Sequence, residues 1–354
     1  MNTTQKDIKG RGASSNPQNR YEKLNFTFEA TDENFNPEER PKLKTEFFRD
    51  FSKSILSENN SPDVGFRYSI NPYRGCEHGC AYCYARPTHE YLGYSAGLDF
   101  ESKIFVKENA PELLKKALLA KNWKGDTIAI SGNTDCYQPI ERKLQITRRC
   151  IEVLCEFRNP LFIISKNALV TRDIDLLKPL ADAKAVMVFL SVTSLDPELT
   201  ADLEPRTSRP QARLNAVREL AAAGIPVGVN IAPVIPGLND HEIPAILKEA
   251  AAAGATSAGF TPVRLPLTVA PLFVEWLETK RPLKKQKVLT AIEQIRGGKL
   301  NDPNFGSRMR GEGPIAENLR QLFKIYSQKY GFNEKKIELS PAHFNRPSNQ
   351  LSLF

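Results

Sequence analysis

The chain has 354 residues, of which 41% are hydrophobic and 25% charged, and its formal net charge is +8. This composition fits a folded protein with a full core, and no stretch approaches the roughly 20 apolar residues that a membrane-spanning helix needs. Six cysteines in a chain of this length do not form the disulfide framework of a small secreted protein.

Residues 1–60 are polar, contain Gly and Asn-Pro punctuation and show little hydrophobic period. These features are typical of an extended, partly disordered arm. The first residues lack the apolar run of a signal peptide, so we expect a cytoplasmic protein that has no membrane anchor.

Three cysteines follow the arm: Cys76, Cys80 and Cys83 have the spacing C-x3-C-x2-C. Thiolates this close together bind soft metals or iron–sulfur clusters. Three thiolates on a four-iron cluster leave one iron without a protein ligand, which suits a cluster that performs chemistry. A Cys3His zinc site with His78 or His89 is the alternative, although no second ligand pair follows.

Short apolar runs, each followed by a helical stretch, begin near Phe66. The predicted strands are one before Cys76 and then Thr127–Ser131, Leu161–Ser165, Ala185–Val192, Pro226–Pro233 and Ser257–Val263. The predicted helices between them are Glu141–Glu156, Arg172–Ala181, Gln211–Ala223 and His241–Ala253. This alternation predicts βα units on a parallel sheet over residues 61–279. Six strands are fewer than the eight of a closed barrel, and a doubly wound sheet is the alternative.

The last segment, residues 280–354, predicts a helical extension with the helices Pro282–Arg296 and Ile315–Tyr330. It carries 15 basic and 6 acidic side chains, which accounts for the whole positive excess of the chain. A basic surface of this size fits a nucleic-acid backbone or another polyanion, and an ordinary solvated surface is the alternative. No nucleic-acid-binding motif accompanies the charge.

Polar side chains follow the carboxyl ends of the predicted strands, where parallel βα folds place their sites. Asn133 and Thr134 follow the second strand and Lys166 the third. Ser191 lies in the fourth strand, and Arg206 comes after it. These groups mark the edge of the sheet where a ligand site is expected.

The cysteine loop resembles the signature of the radical S-adenosylmethionine (SAM) superfamily, C-x3-C-x-aromatic-C, with Tyr82 at the aromatic position. The sequence from about Tyr68 to Pro266 is similar to the branch related to spore photoproduct lyase. The resemblance implies an α/β fold with a partial (β/α)6 TIM-like barrel, a [4Fe–4S] cluster on the three cysteines, and SAM bound at the open iron. It also implies an electron donor such as flavodoxin or ferredoxin. Members of the superfamily cleave SAM reductively to a 5′-deoxyadenosyl radical, which abstracts hydrogen from a substrate.

The resemblance further implies which residues contact SAM. The amino-group motif of the superfamily maps to residues 132–134, and three SAM contacts of the lyase branch match Thr134, Lys166 and Ser191. Arg206 is a further candidate for the SAM carboxylate or a substrate anion, with an ion pair to a neighbouring acidic residue as the alternative. The predicted SAM-binding residues are therefore Tyr82, Asn133, Thr134, Lys166, Ser191 and Arg206.

The chain departs from the lyase at the hydrogen donor. The lyase carries a donor cysteine three residues before a loop aspartate, and alignment on Asp135 places Gly132 there. This substitution argues against thymine-dimer repair. Cys136 is a candidate hydrogen donor and Tyr84 a candidate for radical relay, with packing as the alternative for each.

The sequence therefore predicts a radical SAM enzyme whose substrate it does not identify. The alternative is a non-catalytic iron–sulfur or zinc protein that binds nucleic acid through its basic C-terminal region.

Overall fold

The computed structural model describes residues 8–22 and 43–347. Ten strands lie within these residues and form two sheets. They are β1 (Glu46–Arg49), β2 (Leu56–Glu58), β3 (Tyr68–Ile70), β4 (Tyr73–Arg74), β5 (Lys103–Val106), β6 (Ile128–Ile130), β7 (Leu161–Ser165), β8 (Val186–Ser191), β9 (Val227–Val234) and β10 (Ser257–Pro262).

Twelve α-helices lie in the same described residues. They are α1 (Leu98–Ser102), α2 (Ala110–Leu119), α3 (Glu141–Leu144), α4 (Ile146–Glu156), α5 (Ile174–Asp182), α6 (Pro197–Leu203), α7 (Pro210–Ala222), α8 (Ile243–Ala252), α9 (Val269–Lys280), α10 (Lys285–Ile295), α11 (Ser307–Arg310) and α12 (Gly313–Lys329). None of the described helices is both long enough and apolar enough to cross a lipid bilayer.

The larger sheet has the strand order β10-β9-β8-β7-β6-β3-β2. The neighbouring pairs β10-β9, β9-β8, β8-β7, β7-β6 and β6-β3 are all parallel, and β2 pairs antiparallel with β3 at one edge. The central strands are rich in Val, Ile and Leu, as expected where helices cover a parallel sheet. The predicted α/β class with a parallel sheet is therefore confirmed.

The five strands predicted between residues 127 and 263 all form, and their bounds differ from the prediction by no more than one residue. The predicted helix Glu141–Glu156 is divided into α3 and α4, because Gln145 takes a left-handed conformation with φ of 51°. The sequence did not predict the smaller sheet, whose order is β1-β5-β4. Its strand β4 ends at Arg74, directly before the cysteine loop.

The segment after α12 crosses the amino ends of the parallel strands. The side chain of Asn333 pairs with the backbone of Ala258 in β10, and the Ser340 amide donates to the Lys184 carbonyl just before β8. A cavity of about 310 Å³ lies between this segment and the sheet. Its lining includes Lys335 and Lys336, so part of the basic C-terminal region lies at the end of the sheet opposite the strand carboxyl ends.

Glu141 is a buried carboxylate that joins the start of α3 to three other parts of the fold. It accepts hydrogen bonds from the Tyr73 hydroxyl at 2.5 Å, the Thr147 amide at 3.0 Å and the Arg172 guanidinium at 2.8 Å. Burial and the nearby Glu141 carboxylate raise the pKa of Tyr73, so this hydroxyl remains a donor. These contacts fix the loop after β6 against β4.

Replacement of Glu141 by Ala should lower the free energy of unfolding by about 3 kcal/mol, because it leaves buried donors without an acceptor. Urea unfolding followed by circular dichroism measures this change. Glu152→Ala in α4 is the matched control, since Glu152 is half exposed and its contact with Arg148 is 3.5 Å long; it should cost less than about 0.5 kcal/mol. Equal losses in the two variants would contradict the role of Glu141.

Candidate functional site

The cysteine loop, residues 75–85, turns sharply after β4. Gly75 and Gly79 have positive φ angles of 75° and 65°, which glycine adopts without a steric penalty. Backbone bonds fix the loop to its surroundings: the Cys76 amide donates to the Phe100 carbonyl at 2.9 Å, and the Ala81 amide donates to the Leu203 carbonyl at 2.9 Å. The loop is therefore anchored between α1 and the end of α6.

The three thiols of the loop lie within electrostatic reach of one another. Cys76 and Cys80 are buried, and Cys83 is partly buried. Burial raises the pKa of Cys80 and of Cys83, and the negative charge of the neighbouring thiolates raises both further. Thiolates crowded in this way are stabilised by a cation, so their chemistry fits iron.

The described residues contain no group of three or more His, Cys, Asp or Glu side chains that could hold a single metal ion. A four-iron cluster binds each thiolate through a different iron, so its ligands need not meet at one ion. The donor set fits such a cluster.

A buried ion pair between Arg86 and Glu101 contacts the cysteine loop. Arg86 is fully buried and donates to the Cys80 carbonyl through Nε at 3.1 Å and Nη2 at 2.8 Å. The same guanidinium donates to the Glu101 carboxylate at 2.5 Å. Glu101 in turn accepts the backbone amides of Gly12 at 3.0 Å and Ala13 at 2.8 Å.

These last two bonds bring residues 8–22, here called the N-terminal strap, onto the cysteine loop. The contact is very close, since a Cβ atom on Gly12 would lie 1.7 Å from the Gly79 carbonyl oxygen. Asn19 and Arg20 fix the other end of the strap by donating to the backbone and side chain of Glu90.

His78 connects the loop to the carboxyl ends of β6 and β7. Its Nδ1 lies 3.4 Å from the Asp135 carboxylate, which also accepts from the Ser165 hydroxyl at 2.8 Å and the Lys166 amide at 2.7 Å. Burial lowers the pKa of His78, but Asp135 and Cys76 outweigh it and raise the pKa to about 10. Burial raises the pKa of Asp135, and His78 together with backbone amides brings it down to about 2.

A second buried network surrounds Glu204, just after α6. Its carboxylate accepts hydrogen bonds from the hydroxyls of Tyr82 and Thr193 and from the guanidinium of Arg213. Burial raises the pKa of Glu204, but Arg213 and Lys166 outweigh it and lower the pKa. Burial likewise lowers the pKa of Lys166, and Glu204 and Cys80 raise it. Lys166 is therefore a cation held among anionic groups beside the loop.

The structure brings three of the predicted SAM-binding residues together around this network. The Lys166 Nζ lies 5.8 Å from the centre of the Tyr82 ring. The carbonyl of Ser191 accepts from the same Arg213 guanidinium at 2.8 Å. Tyr82, Lys166 and Ser191 therefore share one region at the carboxyl ends of β7 and β8.

Asn133 and Thr134 lie on the loop after β6, the strand next to β7 in the sheet. The side chain of Asn71 accepts both of their backbone amides, at 2.9 Å and 3.3 Å. The Thr134 hydroxyl donates to the Tyr73 carbonyl at 2.7 Å, whereas the Asn133 side chain is exposed. The Thr134 hydroxyl therefore also has a structural role, since it joins the loop after β6 to β4.

Arg206 faces the outer side of the cysteine loop. Its guanidinium lies 3.5 Å from the Glu77 carboxylate and 3.3 Å from the Thr45 hydroxyl. The two acidic residues nearest in sequence have other partners, since Glu204 pairs with Arg213 and Asp202 pairs with Arg281. The side chain of Arg206 therefore contacts Glu77 and Thr45, while the nearby Ser208 amide donates to the Lys166 carbonyl at 3.2 Å.

The two candidate radical residues differ in exposure. Cys136 is fully buried in the main core, and burial raises the pKa of its thiol well above the ordinary value. Tyr84 is 49% exposed, and its hydroxyl donates to the Gly132 carbonyl at 3.0 Å. The packing alternative fits Cys136, whereas Tyr84 lies at the open carboxyl end of the sheet.

Sequence reasoning missed Glu204, Arg213 and Glu101 as parts of the site. Only Arg213 had a usable signal: it lies on the same face of α7 as the buried Val217 and Leu220. A charged residue on the apolar face of a helix needs a buried partner.

Comparison with known proteins identifies the family. The model of the radical SAM superfamily matches residues 70–250. An uncharacterized protein of Mycobacterium tuberculosis (strain H37Rv) is 36% identical over 261 residues, covering 73% of this chain and 76% of that protein. The radical SAM Nα-GlyT isomerase of Pseudomonas phage M6 is 27% identical over 286 residues, covering 79% of this chain and 53% of the isomerase.

Solved structures show a shared fold. Spore photoproduct lyase complexed with dinucleoside spore photoproduct superposes with a TM-score of 0.60 at 18% identity, covering 81% of this chain and 80% of the lyase. A lyase variant with bound SAM and the same dinucleoside gives a TM-score of 0.58 at 17% identity over the same shares. The resemblance predicted from the cysteine loop is confirmed.

Replacement of Gly12 by Ala should release the strap, because the added methyl group overlaps the Gly79 carbonyl and overpacking costs about 2 kcal/mol. Trypsin should then cut at Lys9 and Arg20 roughly tenfold faster than in the wild type. Gly65→Ala is the control, since a Cβ there meets no atom within 4 Å. Unchanged cleavage of Gly12→Ala would show that the strap is not held by this contact.

Proposed function

Because the chain belongs to the radical SAM superfamily, which uses a [4Fe–4S] cluster and SAM, we propose that it is an enzyme that abstracts hydrogen from a substrate after reductive cleavage of SAM. When bound, the cluster supplies the electron and SAM the 5′-deoxyadenosyl radical. The observation that carries this function is the largely buried loop of three neighbouring thiols beside the cation of Lys166.

The thiolates of Cys76, Cys80 and Cys83 would hold the cluster, which leaves one iron for SAM. The loop around them is held in place, because Arg86 binds the Cys80 carbonyl from inside the protein and Glu101 holds Arg86. A ligand loop held in this way supports binding without reorganisation.

Lys166 would bind the SAM carboxylate, since its side chain is partly buried and its neighbours favour the protonated form. Tyr82, Asn133, Thr134 and Ser191 would complete the binding site from the surrounding strand ends. Arg206 is better placed to support the loop through Glu77 than to contact SAM.

The parallel strands β3 and β6–β10 support the predicted partial (β/α)6 barrel. The division into an arm (residues 1–60), a core (61–279) and a basic extension (280–354) remains a prediction, as do flavodoxin or ferredoxin as the electron donor. A cytoplasmic location is proposed because free thiols and an iron–sulfur cluster need a reducing compartment. Family membership favours an enzyme over a non-catalytic nucleic-acid-binding protein.

Replacement of Cys76, Cys80 or Cys83 by Ser should each reduce 5′-deoxyadenosine formation to below about 1% of wild type, because each removes one of the cluster's thiolates. The assay uses protein reconstituted without oxygen and reduced with dithionite. Cys155→Ser in α4 is the control, since Cys155 is a partly buried thiol outside the loop. A loop variant that retains its iron and full cleavage would contradict the ligand assignment.

Replacement of Lys166 by Met should raise the dissociation constant of SAM about 10- to 100-fold, since a buried charge-assisted hydrogen bond contributes about 1.5–3 kcal/mol. Equilibrium binding to the reconstituted protein measures the change. Lys178→Met in α5 has the same change of charge on an exposed residue and should bind SAM normally. Lys166→Arg should recover part of the affinity, and equal affinity in Lys166→Met and wild type would remove Lys166 from the SAM site.

A further inference from the structure

Residues 300–311, here called the bridge, connect elements from the two edges of the larger sheet. On one side Arg296 donates to the carbonyls of Pro262 at 3.1 Å and Val263 at 2.6 Å, at the end of β10. The same guanidinium donates to the bridge carbonyls of Ser307 at 3.2 Å and Arg308 at 2.8 Å. The bridge is thereby fixed at the carboxyl end of the last strand.

On the other side the bridge reaches the loop between β2 and β3. The Asp63 carboxylate accepts the Gly306 amide at 2.7 Å and the Arg308 Nε at 2.5 Å. Arg308 also donates to the Ser61 hydroxyl at 3.0 Å. With its charge matched by Asp63, Arg308 is held in place beside the exposed ring of Phe305, 4.3 Å from its centre.

Arg264 lies between the bridge and the cysteine loop, just after β10. It is half-buried, and its Nε is buried with no hydrogen-bond partner among the described residues. Its Nη1 contacts the Met309 sulfur at 3.2 Å, which is a weak acceptor, and it forms no ion pair with any described carboxylate. Burial and the nearby Arg308 lower the pKa of Arg264 and outweigh Tyr84 and Asp63, which raise it; the Asp63 carboxylate itself is paired with Arg308.

A half-buried cation that no carboxylate contacts directly is costly in a folded protein, so its retention fits an anionic ligand. The flat guanidinium of arginine binds phosphate through paired hydrogen bonds. The guanidinium of Arg264 lies 5.7 Å from the Tyr84 ring, and Tyr84 directly follows the cluster ligand Cys83. An anion bound to Arg264 would therefore lie close to the reaction centre.

Two exposed aromatic rings accompany this cation. Tyr84 is 49% and Phe305 is 60% exposed, and each lies against an arginine. Exposed rings that lie beside arginines match the way proteins bind single-stranded nucleic acid, in which bases stack on rings and cations contact the backbone. A peptide carboxylate would explain Arg264 but not the two rings, and the faces of bases in a duplex are hidden by stacking.

We infer that Tyr84, Arg264, Phe305 and Arg308, here called the arginine–aromatic cluster, bind a segment of single-stranded nucleic acid. Arg264 contacts a backbone phosphate, and the rings of Tyr84 and Phe305 stack on bases. The inference rests on the proposed function for the chemistry that follows, and it names the substrate class for that same site. It also places the nucleic-acid contact of the basic extension (residues 280–354) at the bridge.

Binding is tested without SAM and without reductant, on protein reconstituted with its cluster. Fluorescence anisotropy follows a labelled 12-nucleotide single-stranded DNA and an RNA of the same sequence over a range of salt concentrations. Arg264→Gln should weaken binding about tenfold and reduce the slope of log affinity against log salt by about 0.7, the loss of one phosphate contact on a single strand. Phe305→Ala should weaken binding at least fivefold with no change in slope.

Arg218→Gln is the matched control, because Arg218 is exposed on α7 and the substitution removes the same charge. It should bind like the wild type. Arg264→Lys keeps the charge and should keep the salt slope, so it tests the site even if Arg264→Gln loses its iron or unfolds. Iron content and thermal melting are measured for every variant.

Wild-type affinity in Arg264→Gln and Phe305→Ala would overturn the inference, as would equal weakening in Arg218→Gln. Tighter binding of poly-glutamate or of a duplex than of either single strand would also overturn it. The assay for 5′-deoxyadenosine on the wild type decides the proposed function separately: single-strand binding without SAM cleavage would refute the enzyme and leave the binding site standing.

Discussion

The site depends on one constraint, which is that three thiols must converge in a loop that has almost no regular secondary structure. Helices and strands satisfy their own backbone groups, whereas a loop needs partners from elsewhere. Here the Phe100 and Leu203 carbonyls accept loop amides, and Arg86, fully buried with Glu101, binds the Cys80 carbonyl. Glu101 in turn binds the amides of the N-terminal strap. Such a pair is expensive to break, since either partner alone would leave a buried charge.

A second buried carboxylate, Glu204, links the cysteine loop to the larger sheet. Glu204 accepts from Tyr82 of the loop, Thr193 beyond β8 and Arg213 of α7, so one carboxylate joins three separate segments. Lys166 adds a second cation near this carboxylate, and Glu204 together with Cys80 of the loop favours the charged form of Lys166. The cysteine loop and the strand ends are therefore coupled electrostatically as well as by packing.

The sequence predicted those parts that depend on local pattern. Apolar runs such as 161–165 and 185–192 located β7 and β8 because a buried parallel strand needs apolar residues on both faces, and the cysteine spacing located the loop. The sequence could not predict contacts between distant residues. Gly12 against Gly79, Glu101 beneath the loop and the pairing of Arg206 with Glu77 depend on how the chain returns to itself, and no local period encodes that.

The position of charged residues in the fold could not be predicted from the sequence either. Their position changes how the basic C-terminal region is interpreted. Along the sequence, residues 280–354 form a single positively charged segment. In the fold, basic residues of this segment lie at both ends of the larger sheet. Lys335 and Lys336 line a cavity at the strand amino ends, whereas Arg308 lies in the bridge. Since exposed charges are screened beyond about 8–10 Å at physiological salt, lysines at the far end contribute little to binding near the cysteines. An anion bound at the proposed site near Tyr84 would be recognised mainly by Arg264, so the position of Arg264 matters more than the total charge.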